Sequence, residues 1–225
     1  MVSLADALTS DFTSEEIAFI SDHAAALGIL MKTPSLDSFK VAPLSLLPSV
    51  FSATAVASVT AAQGIINQMT DRIARNTRWL HELIEPIAET DEFTRNLLKI
   101  SKVVHAEGLR QTKFLGFLRS DYMMDAHSNK PLQVEINTIS SAFGALSTRL
   151  RDLHQIVLER FSHKFVEAPD IGKLASVTVF QSIAKAFVKA VRAYGSTGVI
   201  LLVVEENDRN VIDQLPLGIA TWRDE

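Results

Sequence analysis

The run Val199-Ile200-Leu201-Leu202-Val203-Val204 constrains the fold of this chain more than any other stretch. Six consecutive apolar residues, bounded by Tyr194-Gly195-Ser196 and by Glu205-Glu206-Asn207-Asp208, predict a strand covered on both faces, as in a parallel sheet. Such a strand needs neighbours, and parallel neighbours are joined by crossovers of a dozen residues or more. Only 21 residues, 205 to 225, follow the run. The expected class is therefore α/β, with the run as the first strand of a parallel α/β domain that the sequence leaves incomplete.

The preceding chain reads as mostly helical. Thr13 and Glu16 form a capping-box pattern, and Ile17, Ile20, Ala24 and Leu27 repeat at helical spacing up to Gly28. Pro43 and Pro48 keep the segment from Val41 to Ser49 extended, with its leucines as anchors on the body. Val56, Val59, Ile66, Met69 and Ile73 predict a buried helix over about 53–75, and Trp79, Leu80 and Leu83 a short one after it. A further helix starts at Thr90, with Asp91 and Glu92 in its first turn and Phe93, Leu97, Ile100 and Val104 as its buried stripe, and ends at Gly108. Two strands follow, 113–118 and 132–137, as a candidate antiparallel hairpin. Leu150, Leu153, Val157 and Phe161 share the face of a helix from near Phe143, and Leu174, Val177, Ala184, Val188 and Val191 that of a helix from Lys173.

Composition removes several functions. A net charge of −4, a pI near 5.9 and the absence of any Lys/Arg run leave no basic footprint for nucleic acid. Without cysteine there are no disulfides, thiolate metal sites or thiol nucleophiles. The segment before Lys32 is acidic, the wrong charge for a secretory or mitochondrial leader, so the cytosol is the expected compartment. The uncharged span between Val41 and Thr70 is long enough to cross a bilayer, but its prolines, amides and hydroxyls read as a loop followed by a buried helix, with no membrane partner. His23, His81, His105, His127, His154 and His163 show no metal-ligand spacing, and there is no Walker loop, GxSxG or GxGxxG.

Chemistry concentrates between Arg119 and Gly144. Leu132, Val134 and Ile136 alternate with Gln133, Glu135 and Asn137, which puts a carboxylate and an amide on one strand face, roughly 6–7 Å apart. Two such oxygens can reach one hard cation, directly or through water. The strand runs into Thr138-Ile139-Ser140-Ser141-Ala142-Phe143-Gly144, a turn whose backbone N–H groups and hydroxyls at a helix N-terminus suit an anion. A plain N-cap serine and an exposed strand glutamate are the alternatives. Arg119, expected at the end of the first strand, suits either a substrate clamp or an ion pair with Asp121 or Glu135. A polar cluster, Glu205 to Gln214, follows the apolar run where α/β sheets bind ligands.

Taken in order, Val41-Ala42-Pro43, Leu47-Pro48-Ser49, Asp91-Glu92-Phe93-Thr94-Arg95, Glu107-Gly108, Arg119-Ser120-Asp121-Tyr122-Met123, Val134-Glu135-Ile136-Asn137-Thr138-Ile139-Ser140, Phe143-Gly144 and Asp208-Arg209-Asn210-Val211-Ile212-Asp213-Gln214 resemble the eukaryotic glutathione synthetase family. The resemblance implies an ATP-grasp ligase that joins γ-glutamylcysteine to glycine through an acyl phosphate, with ATP and magnesium, usually as a homodimer. It implies Glu135 and Asn137 as magnesium ligands, with Glu135 also beside the ATP phosphates, and Arg119 as a catalytic and substrate-contacting residue. Ser140, Ser141 and the Ala142 backbone match the γ-glutamylcysteine turn, and Asp208, Arg209, Asn210 and Gln214 the substrate loop. Ala142 stands where the family often has a further serine, and Asp208 where it has glutamate.

Residues 1–194 thus read as the N-terminal helical and ATP-grasp-associated region, and 195–225 as the start of a truncated substrate domain in which 215–225 match nothing. An incomplete ATP-grasp architecture, lacking the ATP-gripping lysines, the glycine-rich lid and a further metal carboxylate, is expected to be inactive alone. The alternative role is a non-catalytic interaction or dimerisation partner of a full-length enzyme.

Overall fold

The computed structural model describes residues 4–195 and 199–223, and the chain divides into two compact units: residues 1–51 with 137–225, and residues 52–136. Helices α1 (Ser14–Ala26) and α5 (Gly144–Arg160) form the core of the first unit. Leu146, Leu153 and Val157 of α5, followed by Phe161, bury against Ile20 and Ala24 of α1 and against Ile29 and Ala42, with Leu153 and Val157 fully excluded from solvent. The expected capping box is formed: Thr13 Oγ1 accepts from the Glu16 N–H at 3.3 Å, and the Glu16 carboxylate accepts from the Thr13 N–H at 2.7 Å. After α1, Gly28 turns the chain at φ +75° into a short antiparallel hairpin, β1 (Leu30–Lys32) and β2 (Phe39–Val41), paired Leu30 to Val41 and Lys32 to Phe39. The extended segment beyond β2 lays Leu44, Leu46 and Leu47 on the core, as its prolines imply. His154 of α5, nearly buried, pins it by donating Nε2–H to the Ser45 carbonyl at 2.9 Å.

A second clamp closes the other end of α1. Lys164, buried, pairs with Glu16 at 2.9 Å, donates to the Asp11 carbonyl at 3.0 Å and lies 5.7 Å from the centre of the Phe12 ring. That lysine bond, above the other causes, lowers the Glu16 pKa. Backbone bonds from Thr9 N to Lys164 O and from Val166 N to Ala7 O fasten the same segment. Helices α6 (Val179–Tyr194) and α7 (Val211–Arg223) pack against α5, and α7 also meets β1.

The second unit holds α2 (Ala53–Arg75), α3 (Thr77–Ala88), α4 (Glu92–Glu107), β3 (Arg119–Met124) and all of β4 (Pro131–Asn137) but its last residue. The Asp91 carboxylate caps α4 by accepting from Thr94 N–H at 2.7 Å, so the helix starts one residue later than Thr90 suggests. Two histidines join α3 to α4: His81 Nε2 lies 2.8 Å from Ser101 Oγ, and His105 Nε2 2.8 Å from Thr77 Oγ1. β3 and β4 pair across a six-residue turn, 125–130, too short for a parallel crossover and therefore antiparallel. No helix among the described residues is long and apolar enough to cross a membrane.

Four expectations are corrected. Residues 113–118 form no strand; the first strand of the hairpin is β3, so Arg119 begins a strand rather than ending one. Pairing decides this: the turn, fixed by Asp125 accepting from Ser128 at 2.6 Å and by the left-handed Asn129, sets β3 opposite β4, and 113–118 lie outside that ladder. The stripe on α4 is exposed, at 70% for Phe93 and 60% for Ile100, and Val56, Met69 and Ile73 of α2 are exposed too. Helical spacing states which face needs cover, and nothing within this unit covers it. Val199 to Val204 likewise form no strand, and Val199, Leu201 and Val203 are more than four-fifths exposed. Finally, α6 starts at Val179: Asp170 caps a separate 3-10 turn, Ile171–Lys173, that leads into extended backbone at Leu174, so Leu174 and Val177 lie outside the helix.

Leu153→Ala leaves a cavity at the centre of the first unit and should lower its unfolding free energy by about 2–5 kcal/mol in urea titration. His154 supplies a pH dependence. Burial lowers its pKa below the ordinary 6.5, and the Ser45 carbonyl bond only partly opposes this. The unfolded chain takes up a proton that the folded ring refuses, so the contribution is complete above about pH 6.5 and is lost as pH falls below it. Urea midpoints should drop between about pH 7.5 and about pH 5.5, and His154→Gln should reduce the drop.

Candidate functional site

In the second unit the site begins on β3 and β4. Arg119 forks onto Asp121, with Nε 2.8 Å from Oδ1 and Nη2 3.0 Å from Oδ2, a bidentate pair that leaves both side chains partly exposed. The Asp121 bond, with Glu135 as a smaller contributor, raises the Arg119 pKa further above its ordinary value. Of the roles open to this guanidinium, the ion pair with Asp121 is formed, and the fork is held in the geometry a carboxylate or phosphate would take. Glu135 is exposed on β4; Asn137, two residues on, is half-buried and belongs to the first unit. Leu132 and Val134 on the opposite face are themselves more than half exposed.

In the first unit, two segments far apart in sequence meet. The turn after β4 carries Ser140 at φ +52° and Phe143 at φ +73°, both left-handed and neither a glycine. Ser141 Oγ donates to the Asn137 carbonyl at 3.2 Å, and the half-buried Ala142 follows. The N-terminus of α5 has no cap from its own residue Phe143. Its amides bond instead to Asp213 of α7: Phe143 N–H at 2.5 Å, Ala145 N–H at 2.8 Å and Leu146 N–H at 3.0 Å. The position that the sequence marks as an anion site is thus filled by an anion of the chain itself, where the helix dipole favours negative charge.

The polar cluster beyond the apolar run is ordered around the same point. The Asp208 carboxylate accepts from Asn210 N–H at 2.8 Å and from Gln214 Nε2, so three residues of the expected substrate loop bond to one another. Arg209 turns away: its Nε donates to the Lys32 carbonyl and its own carbonyl accepts from Lys32 N–H, each at 2.9 Å, extending the edge at β1. Asn210 is buried, and its Oδ1 has no hydrogen-bond donor among the described residues. An unpaired buried acceptor costs about 1–3 kcal/mol unless water or a ligand completes it.

The structure therefore gathers Ser140, Ser141, Ala142, Asp208, Asn210 and Gln214 in one unit, and places Arg119 and Glu135 in the other. Asp213 is the residue that sequence reasoning missed. It stands inside a matching motif, but its partners lie about 70 residues earlier, and no local pattern connects them.

Residues 8–200 match the family described as eukaryotic glutathione synthase, ATP binding domain. Glutathione synthetase of Homo sapiens is 35% identical over 201 residues, covering 86% of this chain and 42% of that protein. Glutathione synthetase of Xenopus laevis is 36% identical over 209 residues, 89% of this chain and 43% of that one. A chloroplastic glutathione synthetase of Solanum lycopersicum is 33% identical over 77% of this chain and 32% of its own. The chain thus spans less than half the length of each of these relatives. Among solved structures, a glutathione synthetase-like effector from Globodera pallida, in apo form, superposes with a TM-score of 0.73 at 18% identity, over 94% of this chain and 47% of that one. That likeness is one of fold.

Proposed function

The chain belongs to the eukaryotic glutathione synthase family, and from that premise we propose that it carries the magnesium and γ-glutamylcysteine side of a glutathione synthetase centre. In the reaction proposed, the γ-phosphoryl group of ATP passes to the cysteinyl carboxylate of γ-glutamylcysteine, releasing ADP. The glycine amine then attacks the acyl phosphate, the amide forms, phosphate leaves and the amine gives up a proton.

The observation that carries this reading is the meeting of the 140–146 turn with the 208–214 loop through Asp213. One carboxylate holds both the turn that the family resemblance assigns to γ-glutamylcysteine and the loop that it assigns to substrate. Within that unit, Ser140 and Ser141 supply hydroxyls, Ala142 supplies its backbone amide, and the buried Asn210 Oδ1 is an acceptor suited to a donor such as a substrate ammonium. Asp208, bonded to Asn210 and Gln214, holds the loop.

Glu135 and Asn137 fit magnesium by donor chemistry. Both present hard oxygens, and two protein ligands are what magnesium takes when nucleotide phosphates and waters complete its shell. When bound there, the ion offsets the charge of the triphosphate as it nears a carboxylate. Arg119, already in bidentate geometry with Asp121, would exchange that partner for the transferring group. ATP is the co-substrate, in keeping with the family's ATP-binding domain. This stretch spans less than half the length of the relatives it matches, and on its own it is proposed to bind without turning over. Cytosolic placement is part of the same proposal.

A second reading, a non-catalytic partner that pairs with another copy or a full-length enzyme, is favoured by the apolar faces of the second unit. Ile65, Met69, Ile73 and Trp79 line an open groove there, and the α4 stripe stands in solvent. Co-purification with full-length enzyme supports it; a monomer that captures none removes it.

Titration calorimetry separates these readings. Wild-type chain should bind both γ-glutamylcysteine and magnesium-ATP, and Glu135→Ala should weaken magnesium-ATP by about tenfold or more, roughly 1.4 kcal/mol, while sparing the dipeptide. Binding of neither ligand by well-folded protein removes the proposed site. Phosphate release with ATP, γ-glutamylcysteine and glycine should stay at background; turnover would overturn the half-centre assignment.

A further inference from the structure

The geometry points to Asp213 as a positioning residue: it fixes the shape of the turn 140–146 by accepting from three of its amides, and ties that shape to the loop 208–214. This inference rests on the reading of those two segments as the γ-glutamylcysteine site. Three observations converge on it.

The first is the number and reach of the bonds. One carboxylate in the first turn of α7 accepts from Phe143, Ala145 and Leu146 at 2.5 to 3.0 Å, across 67 to 70 residues of sequence. Helix N-caps are ordinarily supplied by the residue just before the helix; here that residue is Phe143, which has no such group.

The second is strain. Phe143 sits at φ +73° and Ser140 at φ +52°, the left-handed region that L-residues other than glycine rarely adopt. The Phe143 side chain is half exposed, so its packing does not hold the backbone there. The short bond from its N–H to Asp213 does. Strained backbone persists where surrounding contacts over-determine it, and such positions gather at binding sites.

The third is placement. Asp213 lies between Asn210, whose buried Oδ1 has no donor among the described residues, and Gln214, which bonds to Asp208. Its own N–H bonds to the Asn210 carbonyl at 3.1 Å. Asp213 therefore orders the loop through its backbone and the turn through its side chain. It reaches both segments without needing to touch a ligand.

The tests are affinity and amide exchange on the full chain. Asp213→Asn keeps one acceptor oxygen for Ala145 and Leu146 but presents an NH2 group to Phe143. It should weaken γ-glutamylcysteine binding by about tenfold, and Asp213→Ala should weaken it further. Exchange of the Phe143, Ala145 and Leu146 amides should speed up in both variants, together with that of 208–214, while the α1–α5 core around Leu153 stays protected. Asp91→Ala removes a helix cap of the same kind from the other unit and should leave dipeptide affinity unchanged. If Asp213→Asn binds like wild type, the inference fails and the proposed site stands. It also fails if Asp91→Ala weakens binding equally, since the effect is then one of general stability. A folded wild-type chain with no affinity for the dipeptide overturns both. If Asp213→Ala does not fold, Asp213→Asn alone decides.

Discussion

Burial of one helix face organises the first unit. Leu146, Leu153 and Val157 of α5 are each worth about 1.5–3 kcal/mol when taken out of water, and what covers them comes from elsewhere in the chain. Ile20 and Ala24 arrive from α1, Ile29 from the turn after it, and Ala42 from the end of the hairpin. The polar contacts sit at the ends of this stripe. Asp213 holds the N-terminus of α5, His154 pins the leucine segment along its side, and Lys164 locks the start of α1 just beyond Phe161. Each is a bond between distant segments, so each is secure only while the apolar face stays closed.

The parts of the fold that were legible in sequence are those whose signals are local. The capping box at Thr13 and Glu16, the helix over Ala53–Arg75, the proline-stiffened leucine segment and the end of α4 at Gly108 all follow from residues within a few positions of one another. The hairpin β1–β2 escaped notice because two three-residue strands carry too short a pattern to show alternation. The stripe on α4 and the run from Val199 failed in the opposite way. Their patterns predict a buried stripe and a covered strand, but cover belongs to a neighbour, and sequence periodicity carries no information about whether a neighbour is present. A strand is a property of a pair, which is why 113–118 lost its assignment to Arg119–Met124.

The candidate site divides along the same line. Alternation along β4 put Glu135 and Asn137 in the foreground, and the order of motifs drew attention to the turn and the loop. What neither could supply was the identity of the anion at the head of α5. Dipole and free amides made the need for negative charge evident, and a ligand was the natural candidate. The residue that meets that need comes from 70 positions later, inside the matching motif between Asn210 and Gln214. Arg119 shows the converse: sequence gave its possible partners, and distances of 2.8 and 3.0 Å to Asp121 chose among them.

The second unit, residues 52–136, is inserted between two stretches that must join to make the first. Its helices α2, α3 and α4 are contiguous and emerge from the ribosome before α5 exists. During synthesis, therefore, α1 and its capping box wait with Ile20 and Ala24 uncovered until Leu146 to Phe161 have been made. The entropy of closing so long a loop grows only logarithmically with its length, so the delay is one of timing more than of free energy.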